Sequence, residues 1–404
     1  MHPKDINIAG FQYELPKEKI AQYPVEQRDK SKLLIASDKI QQDFFYNIDH
    51  YLPSNSLMIF NDTKVIHARL QFQKSTGARI EIFLLNPVSP YTDMDRAFSS
   101  TEPQIWNCLV GNLKKWKSDS LVLIAMIENQ TVELRADLVF SGTASHHVRF
   151  SWSSSAISFS DLIQHFGAIP LPPYMNRKAE DADHHRYQTV YANRMGSVAA
   201  PTAGLHFTEA VFAQLHKKNI QKEFVTLDVG AGTFKPVSAK IIGEHEMHTE
   251  TVYISLETIQ KIKQYINNQK IIAVGTTTTR TLESMFWFAN KLRKNPDADF
   301  FIDQWAPYDD SDMGLTPFEA LEILENHLQT TDKTLLEGQT QLIIAPGYSF
   351  KFIDYLITNF HQPSSTLLLL VAAFYGEKWL EAYDFALKND FRFLSYGDSC
   401  LFVR

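Results

Sequence analysis

The feature that most constrains this chain is a loop of small, nearly uncharged residues, GSVAAPTAGLHF, which spans Gly196–Phe207. Pro201 and Gly204 lie three residues apart within it, a spacing that suits neither a helix interior nor a strand, so the segment predicts a tight, partly buried loop. Thr208 is a good N-cap and Val211 begins an apolar face, which predicts that a helix starts directly after the loop. Such a loop can present backbone N–H groups to a polar ligand, although a connector packed under a sheet is its commoner use.

Comparable loops of small, hydroxyl or histidine residues recur where other predicted strands end. Buried strands are predicted at Leu33–Ala36, Leu57–Phe60, Phe224–Asp228 and Ile271–Val274, each rich in aliphatic and aromatic side chains. Counting Ala199–His206, which is the central part of the loop described above, there are five such loops. They are Asn61–Thr63, Ala199–His206, Gly230–Thr233, Gly275–Arg280 and Thr358–His361. A repeated order of strand, loop and helix is typical of an α/β fold, and parallel strands bring such loops to one edge of a sheet. We therefore expect a single composite binding site.

Between residues 65 and 152 the pattern changes to short strand-like runs separated by turn-forming residues. The runs are His67–Phe72, Ala78–Leu85, Ile105–Val110, Ser120–Ile127, Thr131–Val139 and His147–Trp152. None has a helical period, and short strands at this spacing predict a small antiparallel barrel or sandwich. Trp116 lies between two of the runs with lysines on both sides, which is either an RNA-contacting aromatic or, more commonly, a solvated turn.

The last third of the chain returns to a mixed pattern of helices and strands. Residues 294–338 are more acidic and variable, and within them Pro317–Leu328 is predicted as a helix. Gln341–Ala345 is predicted as a strand and Phe350–Ile357 as a helix, after which a very apolar helix is expected to start near Ser365. We interpret residues 294–338 as an excursion inserted between elements of the α/β sheet.

Charge and composition narrow the classes of function. A net charge of −7 argues against a broad, nonspecific nucleic-acid binder, though not against a structured RNA bound at a local patch. The best candidate patch is the basic stretch Arg177–Arg186, which we expect to be a mobile polar loop. The apolar run Leu367–Tyr375 is about half as long as a membrane span, and the first ten residues lack the apolar core of an export signal. A cytoplasmic protein is therefore expected.

No metal centre is expected from the residues. Cys108 and Cys400 are far apart, and no Cys-x-x-Cys spacing is present. His245 and His248 lie three residues apart among acidic residues, but no third ligand follows at a suitable spacing. Polar recognition is therefore the better interpretation of this pair.

Taken in chain order, several segments are similar to the motifs of one known family. The segments are Tyr13-Glu-Leu-Pro, Ile20-Ala-Gln-Tyr-Pro, Gln27-Arg-Asp, Phe60-Asn-Asp-Thr-Lys-Val, Ala68-Arg-Leu, Tyr187-Gln-Thr-Val-Tyr-Ala, Ser197–Phe207, Gly230-Ala-Gly-Thr-Phe, His245-Glu-Met-His, Ala273–Ser284, Pro346-Gly-Tyr and Thr358-Asn-Phe-His. On these motifs the sequence resembles the S-adenosylmethionine:tRNA ribosyltransferase-isomerase family of queuosine biosynthesis. The match is specific, because strings as long as Ser197–Phe207 do not recur by chance, and it runs in family order to about Gly376.

The resemblance implies an α/β main domain with an inserted small antiparallel β-barrel domain. The main domain is expected to comprise residues 1–64 and 153–404 and the inserted barrel domain residues 65–152, in agreement with the change of pattern noted above. Residues 294–338 are then an insertion within the α/β domain.

The resemblance also implies a reaction. The family transfers and isomerises the ribosyl moiety of S-adenosylmethionine onto a 7-aminomethyl-7-deazaguanine base in tRNA, giving epoxyqueuosine-tRNA and releasing adenine and methionine. S-adenosylmethionine is then a co-substrate and the anticodon region of tRNA is the partner. No metal is required, and a cytoplasmic monomer without membrane contact is expected.

The residues of the motifs suit this chemistry. Departure of adenine requires a proton donor, and removal of a hydrogen beside the sulfonium requires a base. The candidates are His206, Asp228, His248 and His361, although a hydrogen-bonded packing role is an equally good interpretation for any one of these histidines. Arg280 would face a carboxylate or a phosphate, since its planar fork suits either. The complete set expected to bind substrate is Asn61, Asp62, Thr63, Arg69, Tyr187, Pro201, Thr202, Gly204, Gly230, Gly232, Thr233, Thr276, Thr277, Arg280 and Asn359.

Two departures from the family pattern suggest a diverged member. Leu227–Gly230 reads Leu-Asp-Val-Gly where the family usually has Leu-His-Val-Gly, so Asp228 replaces a histidine, and Ser364 stands where a lysine is usual. The alternatives are an enzyme of the same scaffold that acts on another acceptor, and a non-catalytic tRNA- or ligand-binding paralogue. The acceptor, the identity of the acid and the base, the role of residues 294–338 and the oligomeric state are left open by the sequence.

Overall fold

The computed structural model describes residues 2–117, 119–230, 232, 237, 239–309 and 314–404. Its helices are α1 Met94–Ser99, α2 Phe159–Phe166, α3 Asp183–Arg186, α4 Glu209–Lys217, α5 Leu256–Tyr265, α6 Thr276–Lys294, α7 Ala306–Asp309, α8 Pro317–Thr330, α9 Thr366–Tyr375 and α10 Trp379–Lys388. Its strands are β1 Lys32–Ala36, β2 Ile40–Phe44, β3 Leu57–Asn61, β4 Thr63–Val65, β5 Arg69–Gln73, β6 Arg79–Ser89, β7 Gln104–Gly111, β8 Leu121–Ile127, β9 Gln130–Ser141, β10 His146–Trp152, β11 Gly167–Ala168, β12 Arg194–Ser197, β13 Gln221–Asp228, β14 Glu250–Ser255, β15 Ile271–Val274, β16 Phe301–Ile302, β17 Leu335–Thr340, β18 Tyr355–Asn359 and β19 Ser399–Val403. Most of these strands belong to two sheets, one mixed and one antiparallel.

A ten-stranded mixed sheet has the order β16–β17–β14–β13–β3–β15–β18–β19–β1–β2. At its centre are four parallel strands, β13, β3, β15 and β18, as the predicted order of strand, loop and helix requires. β3 and β15 are buried along their whole length, which is typical of parallel strands whose two faces are both covered. The carboxyl ends of the four strands meet at one edge of the sheet, where Asn61, Asp228, Val274 and Asn359 lie.

Alternate residues of β3 pack into different hydrophobic cores. Leu57 and Ile59 belong to the larger core, to which α5, α6, α8, α9 and α10 contribute. Met58 and Phe60 belong to a second core, which Phe207 and α4 complete. Because successive side chains of a strand point to opposite faces, this alternation shows that the sheet is covered on both sides.

Side-chain caps define where several helices begin, as the sequence predicts. Thr208 Oγ1 accepts a hydrogen bond from Val211 N at 3.3 Å and opens α4. Ser365 Oγ accepts one from Leu368 N at 3.2 Å and opens α9. Each cap satisfies an N–H group that has no partner inside the helix. α6 differs, because its N-cap position is Gly275, which carries no side chain, and its first N–H groups are left without such a cap.

The second sheet is antiparallel throughout and has the order β11–β5–β6–β7–β10–β9–β8. It contains the strands predicted between residues 65 and 152, and it curls so that β5 lies near β8. A separate hydrophobic core fills it, with Trp106 and Phe150 fully buried. Trp116 is part of this core and its indole N–H donates to Asp119 O, so the lysines beside it flank a packed ring rather than an exposed one.

Two segments in the last quarter of the chain differ from prediction. Gln341–Ala345, predicted as a strand, has no regular structure, and β17 lies just before it. The helix predicted at Phe350–Ile357 is wrong, because β18 occupies its second half. The N–H groups of Lys351 and Phe352 donate to the side chain of Glu283 instead of to helical carbonyls.

The basic stretch that we expected to be a mobile loop is anchored instead. Arg177 makes two hydrogen bonds, of 2.7 and 2.8 Å, to the carboxylate of Asp183, which is buried and also accepts from Tyr396 Oη. Arg186 donates to two main-chain carbonyls of the N-terminal segment. Arginines that make two hydrogen bonds each hold a segment in one geometry. Much of the positive charge of this stretch is therefore engaged in contacts within the fold.

Candidate active site

The small-residue loop, the start of α6 and the end of β18 enclose a cavity at the carboxyl edge of the mixed sheet, which we call the first cavity. Its volume is about 830 Å³ including its open mouth. The residues that line it are Tyr174, Ala199–Ala203, Val229, Gly275–Thr277, Thr358–Gln362, Ser365, Leu367, Leu394 and Ser395. The expected site residues Pro201, Thr202, Thr276, Thr277, Asn359 and His361 are therefore brought together here.

The N-terminus of α6 opens onto the first cavity. Gly275 has φ +95°, a conformation that favours glycine, and it turns the chain from β15 directly into the helix. The hydroxyls of Thr278 and Thr279 donate to carbonyls of the preceding turn and belong to the helix itself. Thr276 and Thr277, in contrast, line the cavity, where the unbonded N–H groups of a first helical turn can hold a polar ligand.

Asn359 presents its amide in the wall of the first cavity and is held from behind by His206. Asn359 Nδ2 lies 3.1 Å from His206 Nε2, and His206 Nδ1 lies 2.7 Å from Ser31 Oγ. Burial lowers the pKa of His206 to about 3, so the ring is neutral, and the nearby charges of Arg392 and Arg28 act in the same direction. His206 does not line the first cavity; it positions Asn359, whose Oδ1 has no partner among the described residues.

His361 lines the first cavity on a rigid main chain. Its backbone N–H donates to Tyr383 Oη at 3.1 Å, and its carbonyl accepts from Tyr13 Oη. Its Nε2 lies 3.0 Å from Thr358 Oγ1. Burial lowers the pKa of His361 to about 3, so this imidazole is neutral around pH 7.

A second cavity, of about 890 Å³ including its mouth, adjoins the first, and Leu367 lines both. Three polar side chains are connected in a row on one side of this cavity. Arg280 Nη1 donates to Glu250 Oε2, and Glu250 Oε1 lies 3.0 Å from His248 Nε2. Burial would raise the pKa of Glu250, but the charge of Arg280, helped by His248, lowers it to about 2. A Cβ on Gly232 would lie 2.8 Å from the His248 ring, so glycine is needed for this close approach.

A third group of predicted residues forms a polar cluster at the ends of β3 and β13. Asp228 Oδ1 lies 3.0 Å from Thr63 Oγ1, which lies 2.8 Å from Ser197 Oγ. Burial raises the pKa of Asp228 to about 7, although the Thr63 hydroxyl and the charge of Arg194 lower it in part. A Cβ on Gly196 would lie 2.5 Å from this carboxyl group, so the first glycine of the small-residue loop makes room for Asp228.

Asn61 and Asp62 hold the two strand ends beside this cluster. Asn61 Oδ1 accepts from Leu227 N and Asn61 Nδ2 donates to Leu227 O, both at 3.0 Å. Asn61 Nδ2 also lies 3.3 Å from Thr277 Oγ1, which links the cluster to the first cavity. Burial raises the pKa of Asp62, whose Oδ1 accepts from Thr226 Oγ1 at 2.6 Å. These side chains position the site and are already bonded within the fold.

The remaining predicted residues lie outside the first two cavities or outside the described residues. Arg69 is on β5 of the antiparallel sheet, beside Glu81. Tyr187 packs in a core against Tyr396, and Gly204 is needed because a Cβ there would collide with Tyr191. A Cβ on Gly230 would come within 3.8 Å of His248, near the second cavity. The predicted Thr233 lies outside the residues that the structure describes.

Comparison with known proteins agrees with the motifs. The family model described as "Queuosine biosynthesis protein" matches residues 8–402. The chain belongs to this family. The resemblance inferred from the sequence is therefore confirmed, and it extends over nearly the whole chain.

Two curated relatives of this chain share an enzyme name. The S-adenosylmethionine:tRNA ribosyltransferase-isomerase of Trichlorobacter lovleyi is 37% identical over 401 residues, which are 98% of this chain and 99% of the relative. The enzyme of the same name from Halothermothrix orenii is 37% identical over 404 residues, 98% of this chain and 100% of the relative. A solved structure, that of S-adenosylmethionine tRNA ribosyltransferase from Thermotoga maritima, is 30% identical, covers 97% of this chain and 99% of its own, and has a TM-score of 0.46.

Several residues of the site were not singled out from the sequence. Ser31 holds His206, Ser197 bonds the Thr63 hydroxyl that in turn bonds Asp228, and Ser395 lines the first cavity. Glu250 is part of the acidic stretch around His248, but its pairing with Arg280 joins residues 30 positions apart. No local pattern marks such a partner, because a hydrogen bond across the sheet leaves no periodicity in the sequence.

The described residues contain no group of three or more His, Cys, Asp or Glu side chains that could hold a metal ion. His245 and His248 both line the second cavity, where His248 is engaged with Glu250. Within the same ranges, no helix combines the length and the apolar character needed to cross a bilayer.

A cleft of about 1530 Å³ including its open mouth lies between β4, α1 and α2 on one side and the anchored basic stretch on the other. His67 Nδ1 lies 3.1 Å from Gln164 O, and His67 Nε2 lies 3.1 Å from His184 Nδ1. Burial lowers the pKa of His67, and the adjacent His184 lowers it further. The exposed Lys64 and His185 stand on the same cleft.

Proposed function

We propose that the protein transfers and isomerises the ribosyl moiety of S-adenosylmethionine onto a 7-aminomethyl-7-deazaguanine base in tRNA. The products are epoxyqueuosine-tRNA, adenine and methionine. Family membership over residues 8–402 supports the reaction class. The observation that carries the proposal for this chain is the first cavity, where an uncapped helix N-terminus, the amide of Asn359 and a neutral histidine, His361, line one space.

The geometry supports different roles for the four acid–base candidates. His361 lines the first cavity and, being neutral, is the group we propose as the base that removes a hydrogen beside the sulfonium. His248 lines the second cavity, and His206 positions Asn359 from behind. Asp228 stands behind the small-residue loop, with a pKa that leaves it partly protonated near pH 7, and we propose it as the proton-holding group that replaces the family's histidine.

We propose that tRNA binds along the cleft that β4, α1 and α2 form with the basic stretch. Lys64 is exposed on that cleft and supplies a cation for a phosphate, while the exposed Val190 and the half-buried Met195 offer apolar surface for an unstacked base. The anchoring of Arg177 and Arg186 moves the expected RNA contact from the basic stretch itself to the cleft beside it. The anticodon region is the expected ligand, since the acceptor base is there in the proposed reaction.

We further propose that the antiparallel sheet is the inserted barrel domain of the α/β protein. Its separate hydrophobic core and its curled, sequential strands support this organisation. α2 and β11 pack with it, so the unit extends past residue 152 to residue 168. Residues 294–338 contribute β16 and α8 at the opposite edge of the mixed sheet, which fits an insertion within the α/β domain. A cytoplasmic monomer remains our proposal for the working form.

A second candidate is an enzyme of the same scaffold with another acceptor, or a paralogue that binds without catalysis. The observation that favours it is Asp228, because a buried, partly protonated carboxyl group differs in charge and shape from a histidine. The reaction with the usual acceptor decides between these candidates.

The test is adenine release from S-adenosylmethionine with tRNA that carries the 7-aminomethyl-7-deazaguanine base. Release that depends on this tRNA supports the proposed reaction, release only with other acceptors supports the changed acceptor, and binding without release supports the paralogue. His361→Gln is expected to lower kcat by roughly 10²–10⁴-fold, the usual contribution of a general base. His216→Gln, at an exposed position of α4, is the matched control and should keep full activity. Unchanged turnover of His361→Gln would remove His361 as the base.

A further inference from the structure

Arg280 has one guanidinium nitrogen that the fold leaves unbonded. The residue is 5% exposed and lines the second cavity. Its Nε donates to Leu342 O at 3.0 Å and its Nη1 donates to Glu250. Its Nη2 is buried and has no hydrogen-bond acceptor among the described residues. Since a buried donor on a charged group is costly to leave unpaired, this nitrogen indicates a place for an acceptor that comes from a ligand.

The surroundings of Arg280 restrict the chemistry of that ligand. A guanidinium fork with one arm already on a carboxylate offers its other arm to a second planar anion. A phosphodiester is linked to further chain on both sides of its charged group, so it cannot enter a site where the arginine is almost fully buried. A terminal carboxylate is linked on one side only and can enter such a site. His245, Glu246, His248 and Thr366 also line the second cavity. Its apolar part suits an aliphatic or thioether chain and is formed by Met247, Leu342, Ile343, Ile344, Leu367 and Leu370.

We propose that Arg280 Nη2 binds the terminal carboxylate of the amino-acid end of S-adenosylmethionine in the second cavity. The nucleoside end then occupies the first cavity, and the chain between them passes Leu367, which lines both. This assignment rests on the proposed function, since it takes S-adenosylmethionine as the substrate. It gives Arg280 a specificity role: the site selects a nucleoside that carries an amino acid over one that carries only an amine.

The experiment compares the binding of S-adenosylmethionine and of decarboxylated S-adenosylmethionine to the intact protein by titration calorimetry. The wild-type protein is expected to prefer S-adenosylmethionine by about 100-fold or more, because a buried donor rejects an analogue that cannot satisfy it. Arg280→Lys keeps a cation beside Glu250 but lacks the fork, so its preference is expected to fall to about tenfold or less. Arg293→Lys, at an exposed position near the other end of the same helix, is the control and should keep the wild-type preference.

The outcomes separate the subsite from the reaction. Equal binding of the two compounds by the wild-type protein overturns the subsite, and this comparison does not depend on the folding of any variant. If adenine is released from S-adenosylmethionine while the preference is absent, only the subsite fails. If neither compound binds and no adenine is released, the proposed function fails and the subsite with it. A preference in the wild-type protein that survives unchanged in Arg280→Lys assigns the carboxylate to another residue and also overturns the proposal.

Discussion

At the scale of single residues, Asp228 is the carboxyl group whose environment most affects the chemistry of the strand ends. It is surrounded by Thr63, Ser197 and the backbone at Gly196, and burial raises its pKa to about 7. When burial raises the pKa of an acid, the acid makes its full contribution to the stability of the folded state only at pH values below its pKa in the unfolded chain. That contribution is lost as the pH rises from about 4 through 7, because folding then keeps an ionised carboxylate out of water.

Asp228→Asn is expected to remove this pH dependence. Between pH 4 and pH 8 the free energy of unfolding of the variant should rise relative to that of the wild-type protein, by at most about 4 kcal/mol for a shift of this size. Urea unfolding at several pH values measures it, with Asp384→Asn, at an exposed position of α10, as the control. Parallel pH profiles for Asp228→Asn and the wild-type protein would show that Asp228 titrates normally.

At the scale of elements, α6 organises both cavities and the loop behind them. Its N-terminus opens onto the first cavity, and Arg280, about one turn further on, lines the second. Glu283 lies on the same helix, is completely buried, and accepts from Tyr348 Oη and from the N–H groups of Lys351 and Phe352. One helix therefore holds the Pro346-Gly-Tyr motif in place and also lines both cavities.

Removal of the Glu283 side chain is expected to release that loop. Glu283→Ala leaves three donors buried without an acceptor, and the free energy of unfolding should fall by about 3–5 kcal/mol. Glu283→Gln keeps one acceptor oxygen and should lower the free energy of unfolding by a smaller amount. Urea unfolding of both variants provides the measurement, and Glu322→Gln, at an exposed position of α8, serves as the control. A loss below about 1 kcal/mol for Glu283→Ala would mean that water or another group replaces the carboxylate.

The segments that pack around α6 show which elements can be predicted from local sequence patterns. Ile271–Val274 is predicted as a strand and forms β15, because periodicity and end signals are local. Phe350–Ile357 is predicted as a helix for the same kind of reason and is wrong. Its N–H groups donate to Glu283, a partner nearly 70 residues away that no local pattern reveals.

At the scale of the whole molecule, the first two cavities and the cleft form a series. Leu367 lines both cavities. His206 and Ser395 line a small pocket behind the small-residue loop, and Arg28 lines both this pocket and the cleft. This small pocket therefore lies between the first cavity, which Ser395 also lines, and the cleft. The net charge of −7 is compatible with the proposed RNA contact, because that contact is confined to one cleft.

Lys64→Glu is expected to weaken binding of tRNA without changing the affinity for S-adenosylmethionine. Replacement of one phosphate-binding cation should lower tRNA affinity several-fold and reduce the slope of log K against log salt by about 1. Filter binding at several salt concentrations measures both quantities. Lys115→Glu, on the turn beside the buried Trp116, changes the charge equally and is expected to have no effect. An equal loss in the two variants would place the RNA elsewhere.

The sequence by itself determined the family, the α/β class, the antiparallel strands and the loops that carry the site, because these depend on local composition, spacing and periodicity. Tertiary structure decided which of the candidate residues share a cavity. It placed His206 behind Asn359, paired Arg280 with Glu250, and moved Arg69 and Tyr187 away from the ligand-sized spaces. Those assignments depend on bonds between distant segments and on burial, which exist only once the sheet has brought the strand ends together.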